Sequence, residues 1–262
     1  MKRLEHTFSS LRDAQRTGLV TYFMAGDGGL ETTNQLLKDL PGAGADIIEL
    51  GMPFTDPMAD GPTIQRAALR SLKSGTKMGH TLDAVAQFRE TNQTTPIVLM
   101  GYFNPIFIYG ESRFIDDAAS AGVDGLIIVD LPPEEDETLR TKASEAGISI
   151  IRLTTPTTDD QRLPTVLDGA SGFVYHVSVK GITGGQSADM QSVADNIATI
   201  RQHTHLPVAI GFGISTGEQA KSMANYADAV VVGSALVKHL ENDPRPDLLL
   251  DHVRMLRGAL DR

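Results

Sequence analysis

Short apolar runs alternate along the whole chain with longer segments whose apolar residues recur at helical spacing. A run that is apolar on both faces is typical of a parallel strand covered by helices, rather than of a half-exposed antiparallel strand. Eight such runs predict eight strands, at residues 19–25, 46–50, 96–102, 124–130, 148–153, 172–178, 207–212 and 227–233.

The intervening segments predict helices at residues 31–40, 63–74, 113–121, 134–146, 190–203, 218–225 and 245–260. The acidic run at residues 134–137 follows two prolines and is typical of a helix opening, where carboxylates favour the positive end of the helix dipole. Gly44, Gly122 and Gly147 each stand between a helix and the next strand, where glycine supplies a left-handed helix cap.

Eight strands that alternate with helices close into a parallel barrel more naturally than they form an open sheet. The sequence therefore predicts an α/β protein, a (β/α)8 TIM barrel. We expect an N-terminal extra helix and loop insertions after strands 2 and 6. A chain of 262 residues is long enough for two domains, but one such barrel occupies about 250 residues. With no linker or shift in composition, we expect a single catalytic domain over residues 1–262.

Composition narrows the class of function. The net charge of −10 argues against nucleic acid or an anionic membrane as the main partner, although a few backbone N–H groups can still hold a phosphate. The chain has no cysteine, which rules out disulfides and thiolate chemistry. It shows no apolar leader and no apolar run of the roughly 20 residues that a membrane span needs. We expect a cytoplasmic protein.

The second strand ends in a group of carboxylates. Barrel enzymes place their active sites at the C-terminal ends of the strands. If Ile48 faces the helices, Glu49 points into the barrel mouth, where a buried carboxylate is costly and stability alone would not select it. Asp56 and Asp60 follow in a proline-rich loop that is long enough to act as a lid. The alternatives are that Glu49 neutralises a nearby lysine or caps a backbone turn, and that the aspartates form solvated turns.

Glycines follow the last three strands. Residues 178–186 form a glycine-rich loop after Tyr175, and Gly211–Gly213 and Gly233-Ser234 follow the next two strands. Barrels of this kind commonly hold a phosphate there, on backbone N–H groups and a helix N-terminus. These loops together predict a phosphate site, although the first could also be a flexible connector and Tyr175 an aromatic core residue.

The seven histidines do not form a metal-binding pattern. No pair of them shares a strand C-terminus with a carboxylate, and His203 and His205 lie at the opposite end of the predicted barrel. We therefore predict no metal site.

The residues after the second strand also carry a family resemblance. Residues 49–62, Glu-Leu-Gly-x-Pro-Phe-x-Asp-Pro-x-Ala-Asp-Gly-Pro, resemble the signature of tryptophan synthase α subunits. Residues 100–105, 130–132, 181–184 and 211–214 match the same family, so the resemblance extends from the first strand to Gly233-Ser234.

The resemblance implies a lyase that cleaves indole-3-glycerol phosphate to indole and D-glyceraldehyde 3-phosphate in tryptophan biosynthesis. Glu49 and Asp60 would be its catalytic carboxylates. The indole would lie among Tyr22 (often Phe in this family), Met100, Ile127, Tyr175 and Thr183. The phosphate would be held by Gly184, Phe212, Gly213, Gly233 and Ser234.

The resemblance also implies a partner, a pyridoxal phosphate (PLP)-dependent β subunit in an α2β2 heterotetramer, and no cofactor in this chain itself. Asp56, Asn104 and Pro132 would lie at the interface. The loops at residues 56–60 and 179–186 would respond to the state of the partner.

Other functions compete with this one. An indole-glycerol-phosphate synthase would show lysines at strand ends, and a ribulose-phosphate epimerase would show metal-binding histidines; neither feature is found. A stand-alone indole-releasing lyase shares the same motifs. A non-catalytic activator of a β subunit would not need both Glu49 and Asp60.

Overall fold

The computed structural model describes residues 2–178, 190–211 and 213–261, and within them all strands belong to one parallel sheet. The strand order is β5-β4-β3-β2-β1-β9-β8-β7-β6. The strands are β1 (Gly18–Met24), β2 (Ile47–Gly51), β3 (Ile97–Gly101), β4 (Gly125–Ile128), β5 (Ser149–Ile150), β6 (Arg152–Thr154), β7 (Val174–Val177), β8 (Val208–Gly211) and β9 (Ala229–Val232).

The sheet closes on itself through its fifth predicted strand. Only Ile151 separates β5 from β6; β5 pairs with β4, and β6 pairs with β7. The two end segments of the sheet are therefore one interrupted strand, and the ladder returns to its start. The predicted eight-stranded TIM barrel is confirmed, with its fifth strand in two pieces.

Helices surround this barrel. The described residues contain α1 (Arg3–Asp13), α2 (Leu30–Ala43), α3 (Pro62–Lys73), α4 (Met78–Arg89), α5 (Phe103–Tyr109), α6 (Glu111–Ala121), α7 (Glu137–Glu145), α8 (Leu163–Leu167), α9 (Met190–His203), α10 (Gly217–Ala224), α11 (Ser234–Asn242) and α12 (Asp247–Leu260). Gly44 and Gly122 end α2 and α6 in the left-handed conformation, as predicted.

The start of the predicted helix at residues 134–146 was wrong. The backbone turns at residues 133–135, and α7 begins only at Glu137. The side chain of Asp136, just before the helix, is held by two arginines: Nη2 of Arg152 lies 2.5 Å from Oδ2, and Nε of Arg140 lies 3.1 Å from Oδ1. This buried ion-pair cluster ties the segment before α7 to β6, and the helix begins after it.

Apolar side chains form two separate layers. Ile48 and Leu50 belong to the layer between the barrel and its helices, whereas Ile47 belongs to the barrel interior. The extra helix α1 was predicted, and it contributes Leu4, Phe8 and Leu11 to the interior layer. Burying each of these side chains contributes about 1.5–3 kcal/mol.

The helix α1 closes the N-terminal end of the barrel. A Cβ atom added at Gly125, where β4 starts, would lie 3.3 Å from Cδ1 of Leu4, and one added at Gly18 would lie 2.9 Å from Cδ1 of Leu11. Phe8 packs on Phe173 at 5.6 Å between ring centroids. With this end filled, the opposite end of the barrel holds the loops in which the predicted site residues lie.

Every helix among the described residues falls short of the length and apolarity of a membrane span. The same residues bring together no group of three histidine, aspartate or glutamate side chains that could hold a metal ion.

Candidate active site

Glu49 points into the barrel interior from β2. Its register partners are Tyr22 on β1 and Val98 on β3. The side chain is almost fully buried, and neither carboxyl oxygen has a hydrogen-bond partner among the described residues. Burial raises the pKa of Glu49 from 4.5 to about 8, because a charge is poorly solvated there. Glu49 is therefore mostly a neutral acid at pH 7.

Four of the predicted indole-binding residues lie, like Glu49, on strands of the barrel: Tyr22 on β1, Met100 on β3, Ile127 on β4 and Tyr175 on β7. Tyr22 is buried and Tyr175 is half-buried, and removal of their hydroxyls from water raises the pKa of both well above the usual value. The charge of Glu49 raises both pKa values further, and that of Asp60 also raises the pKa of Tyr22. Met100 and Ile127 are register partners on β3 and β4 and contribute to the interior layer.

The two tyrosine hydroxyls depend on glycines in neighbouring strands. A Cβ atom at Gly51 would clash with the Tyr22 hydroxyl, and one at Gly211 would clash with the Tyr175 hydroxyl. These two strand ends therefore accept only glycine while the tyrosines keep their positions, and the glycines set the shape of the pocket wall.

Asp60 lies half-buried in the loop between β2 and α3. Its N–H donates to the carbonyl of Pro57 at 3.0 Å, and its carbonyl accepts from Gln65 Nε2 at 2.9 Å. Burial raises the pKa of Asp60 to about 6, although a hydrogen bond with Tyr102 acts in the opposite direction. The charges of Asp60 and Glu49 both raise the pKa of Tyr22, so the loop brings Asp60 to the barrel mouth, near the residue that pairs with Glu49.

Tyr102 was missed as a site residue. It follows β3 directly, its hydroxyl accepts the N–H of Ala59 at 3.0 Å, and its ring packs on Phe54 at 5.4 Å between centroids. Burial raises its pKa, and the charge of Asp60 adds to the rise. Tyr102 therefore fixes the loop that carries Asp60. The signal that could have found it was its place at the end of the third strand.

The predicted phosphate residues in the described part of the chain lie after β8 and β9. Gly211 and Val231 are register partners, and Gly213 and Gly233 each lie two residues beyond them. Gly213 is exposed with a φ of +73°, and Ser234 begins α11, whose N-terminus has no side-chain cap. A Cβ atom at Gly233 would lie 3.4 Å from Tyr22, so this end adjoins the tyrosine pocket. Thr183, Gly184 and Phe212 lie outside the described residues.

The three predicted interface residues are exposed and lie in the segments that follow three consecutive strands. Asp56 follows β2, Asn104 lies in α5 after β3, and Pro132 follows β4. Asp130 Oδ1 accepts the N–H of Phe103 at 2.7 Å, which joins the segment after β4 to the start of α5. Exposed apolar side chains in the first two of these segments were not predicted: Met58 (76% exposed), and Phe107 (59%) and Ile108 (76%) on α5.

Comparison with known proteins identifies the family. The family model described as tryptophan synthase alpha chain matches residues 8–257. The chain belongs to this family. The reaction of the tryptophan synthase alpha chain family is the cleavage of indole-3-glycerol phosphate, so the chain is a lyase of tryptophan biosynthesis, and the predicted activity is confirmed.

Solved structures of tryptophan synthase alpha chains are similar over their full length. The alpha chain from Legionella pneumophila subsp. pneumophila is 36% identical with a TM-score of 0.90, over 100% of this chain and 98% of that one. The alpha subunit from Legionella pneumophila str. Paris is 37% identical with a TM-score of 0.91, over 100% and 99%. The aminoacrylate-bound tryptophan synthase from M. tuberculosis contains a chain that is 32% identical with a TM-score of 0.89, over 99% and 100%.

The buried carboxyl predicts a pH-dependent stability. Between pH 4.5 and 8 the folded protein keeps a proton on Glu49 that the unfolded chain releases, so this group lowers the stability progressively as pH rises through that window. Glu49→Gln has no such proton. We expect the free energy of unfolding of the variant, relative to that of the wild type, to rise by on the order of a few kcal/mol from pH 5 to pH 8.5. Urea unfolding of both proteins at both pH values measures this change.

The control for this experiment is Glu90→Gln, at an exposed glutamate that directly follows α4. It should show no comparable gain. A stability difference between Glu49→Gln and the wild type that stays constant from pH 5 to pH 8.5 would show that Glu49 titrates normally.

Proposed function

We propose that Glu49 and Asp60 divide the work of the cleavage reaction. The observation that supports this is the pair of raised pKa values at the barrel mouth, about 8 for Glu49 and about 6 for Asp60. Near pH 7 the first carboxyl carries a proton and the second is ionised. Two carboxyls whose environments separate their pKa values are suited to different acid and base roles.

In the proposed mechanism the carboxyl of Glu49 first protonates indole C3, and the ring takes up positive charge at its N–H. The carboxylate of Asp60 accepts a hydrogen bond from that N–H and stabilises the charge. The carboxylate of Glu49 then takes the proton of the adjacent chain hydroxyl. The carbon–carbon bond breaks, its electron pair returns to the ring, and an aldehyde forms. Glu49 ends with the proton it began with.

The substrate would lie with its indole in the tyrosine pocket, among Tyr22, Met100, Ile127, Tyr175 and Thr183. Its phosphate would be held at Gly184, Phe212, Gly213, Gly233 and Ser234. The closeness of Tyr22 to the Gly233 position supports this arrangement, because it places the tyrosine pocket beside the proposed phosphate residues. The bare N-terminus of α11 supplies unpaired N–H groups, which favour an anion.

We also propose that the whole chain is one catalytic domain that works in the cytoplasm without a cofactor of its own. The reaction needs none in this chain, because the protonated ring itself accepts the electron pair of the broken bond. The cofactor of the complete synthase would be PLP, carried by the β partner.

The β subunit is the proposed partner, in an α2β2 assembly. The exposed Asp56, Asn104 and Pro132, together with Met58 and Phe107, form a partly apolar surface at the barrel mouth. Exposed apolar side chains rimmed by polar groups are typical of protein interfaces. The same loop carries Asp56 and Asp60, so a partner that binds the first would act on the position of the second.

The test is cleavage of indole-3-glycerol phosphate by the purified chain, with and without a β subunit. We expect slow cleavage by the chain alone and an increase of about 5- to 150-fold with the β subunit, the usual range of coupling between sites. Phe107→Ser should reduce this increase. Met255→Ser, at a residue 46% exposed on α12, is the matched control and should not.

Cleavage that is fast without a β subunit and unchanged by it would instead support a stand-alone lyase. Absence of cleavage with either preparation would contradict the proposed roles of both carboxyls.

A further inference from the structure

Two histidines form a chain of hydrogen bonds behind the proposed phosphate site. Nε2 of His239, on α11, lies 2.8 Å from Nδ1 of His252, on α12. Nε2 of His252 lies 2.9 Å from the carbonyl oxygen of Ser215. The two rings meet edge to face, with centroids 5.1 Å apart. Ser215 is two residues beyond Gly213, in the loop between β8 and α10.

The chemistry of the acceptor fixes the direction of this chain. A carbonyl oxygen can only accept, so Nε2 of His252 carries the hydrogen. In the neutral ring Nδ1 is then an acceptor, and Nε2 of His239 must donate to it. Burial lowers the pKa of His239, and the neighbouring His252 lowers it further, which favours the neutral form of His239. The order is therefore His239 to His252 to Ser215.

The backbone around Ser215 is also held from its other side. Gln219, in the first turn of α10, accepts the N–H of Ser215 at 2.8 Å and that of Thr216 at 3.2 Å through the same Oε1 atom. The peptide groups on both sides of Ser215 are thus fixed by α10 and α12. Gly213, by contrast, is exposed, and a Cβ atom there would meet nothing within 4 Å. The loop is therefore fixed at Ser215 and open to solvent at Gly213, which suits a loop that presents backbone N–H groups to a ligand.

The histidine chain also joins the two described parts of the phosphate site. The helix α11 carries Ser234 at its first position and His239 five residues later. The position of the loop that holds Gly213 is consequently tied to the helix whose N-terminus carries Ser234, through one side chain of α12.

We propose that His252, oriented by His239, is a positioning residue for phosphate binding: it holds the Gly213 loop at a fixed place relative to the N-terminus of α11. This inference rests on the proposed phosphate site at Gly213, Gly233 and Ser234. Neither histidine touches the substrate; both act through the carbonyl of Ser215.

The test measures kcat and KM for indole-3-glycerol phosphate, and Ki for inorganic phosphate as a competitor. His252→Ala and His239→Leu should raise KM and Ki about 3- to 10-fold, as expected for one or two lost hydrogen bonds, with kcat nearly unchanged. His239→Gln should keep the wild-type KM and Ki, because its amide can donate where Nε2 donated. Leucine and glutamine fill similar volumes, so this pair separates the hydrogen bond from packing.

Ser234→Asp tests the phosphate site independently, because it places a negative charge at the start of α11. If Ser234→Asp raises Ki for phosphate while His252→Ala and His239→Leu leave it unchanged, the inference is overturned and the phosphate site stands. If none of these variants changes Ki for phosphate, both the inference about His252 and the proposed phosphate site fail. Equal rises in His239→Leu and His239→Gln would also overturn the inference, since packing alone would then explain them. If His252→Ala does not fold, the two variants at position 239 still decide.

Discussion

Replacement of Glu49 by glutamine is expected to lower kcat for the cleavage of indole-3-glycerol phosphate by about 10²- to 10⁴-fold. Glutamine keeps the size and hydrogen-bonding capacity of the neutral side chain but cannot deliver a proton to indole C3 or accept one from the chain hydroxyl. KM should change little, because the lost interaction belongs to the transition state rather than to binding. Steady-state release of indole measures both constants.

The pH-stability experiment supplies the control for this result. A variant that unfolds as cooperatively as the wild type, and is more stable at pH 8.5, shows that the loss of rate is not a loss of structure. Near-normal turnover by Glu49→Gln would remove Glu49 from the mechanism, whatever its burial.

Replacement of Asp60 by asparagine is expected to lower kcat by about 10²- to 10³-fold, the usual effect of losing one group that stabilises transition-state charge. It should also change the pH profile. In the wild type Asp60 must be ionised, so kcat/KM falls below about pH 6; Glu49 must be protonated, so it falls above about pH 8. In Asp60→Asn the fall on the acidic side should disappear, and the fall on the basic side should remain.

The matched control is Asp56→Asn, in the same loop. Asp56 is exposed, so without the β subunit this variant should keep the wild-type rate and pH profile. If Asp60→Asn keeps the acidic fall, that fall belongs to another group, such as the substrate phosphate, and the proposed ionisation of Asp60 has to be abandoned.

The barrel could be predicted from the sequence because its strands are buried on both faces. Such strands appear as apolar runs, and their alternation with helices leaves few ways to arrange them. The true start of α7 could not be predicted, because it depends on Arg152, 16 residues further along the chain than Asp136. A local pattern of prolines and acids contains no information about that distant partner.

Some site residues could be predicted and others could not, because the sequence shows local alternation but not the contacts between residues that are far apart along the chain. The orientation of Glu49 follows from simple alternation along β2, with Ile48 and Leu50 on the opposite face. The choice of Asp60 over Asp56 did not follow from spacing and came from the family resemblance; the difference in their burial becomes visible only in the folded loop. The contact of Tyr102 with Ala59 spans 43 positions, and that of His252 with Ser215 spans 37.

The helix α1 closes the N-terminal end of the barrel, and this limits where substrate can enter and products can leave. Leu4, Phe8 and Leu11 fill the end of the barrel that lies opposite the two carboxyls. In the part of the chain that the structure describes, the end left open to substrate and products is the one beside the loop that carries Asp60. Entry of substrate and exit of products therefore both take place at the end of the barrel where the bond is cleaved, so a change in the position of that loop would affect both.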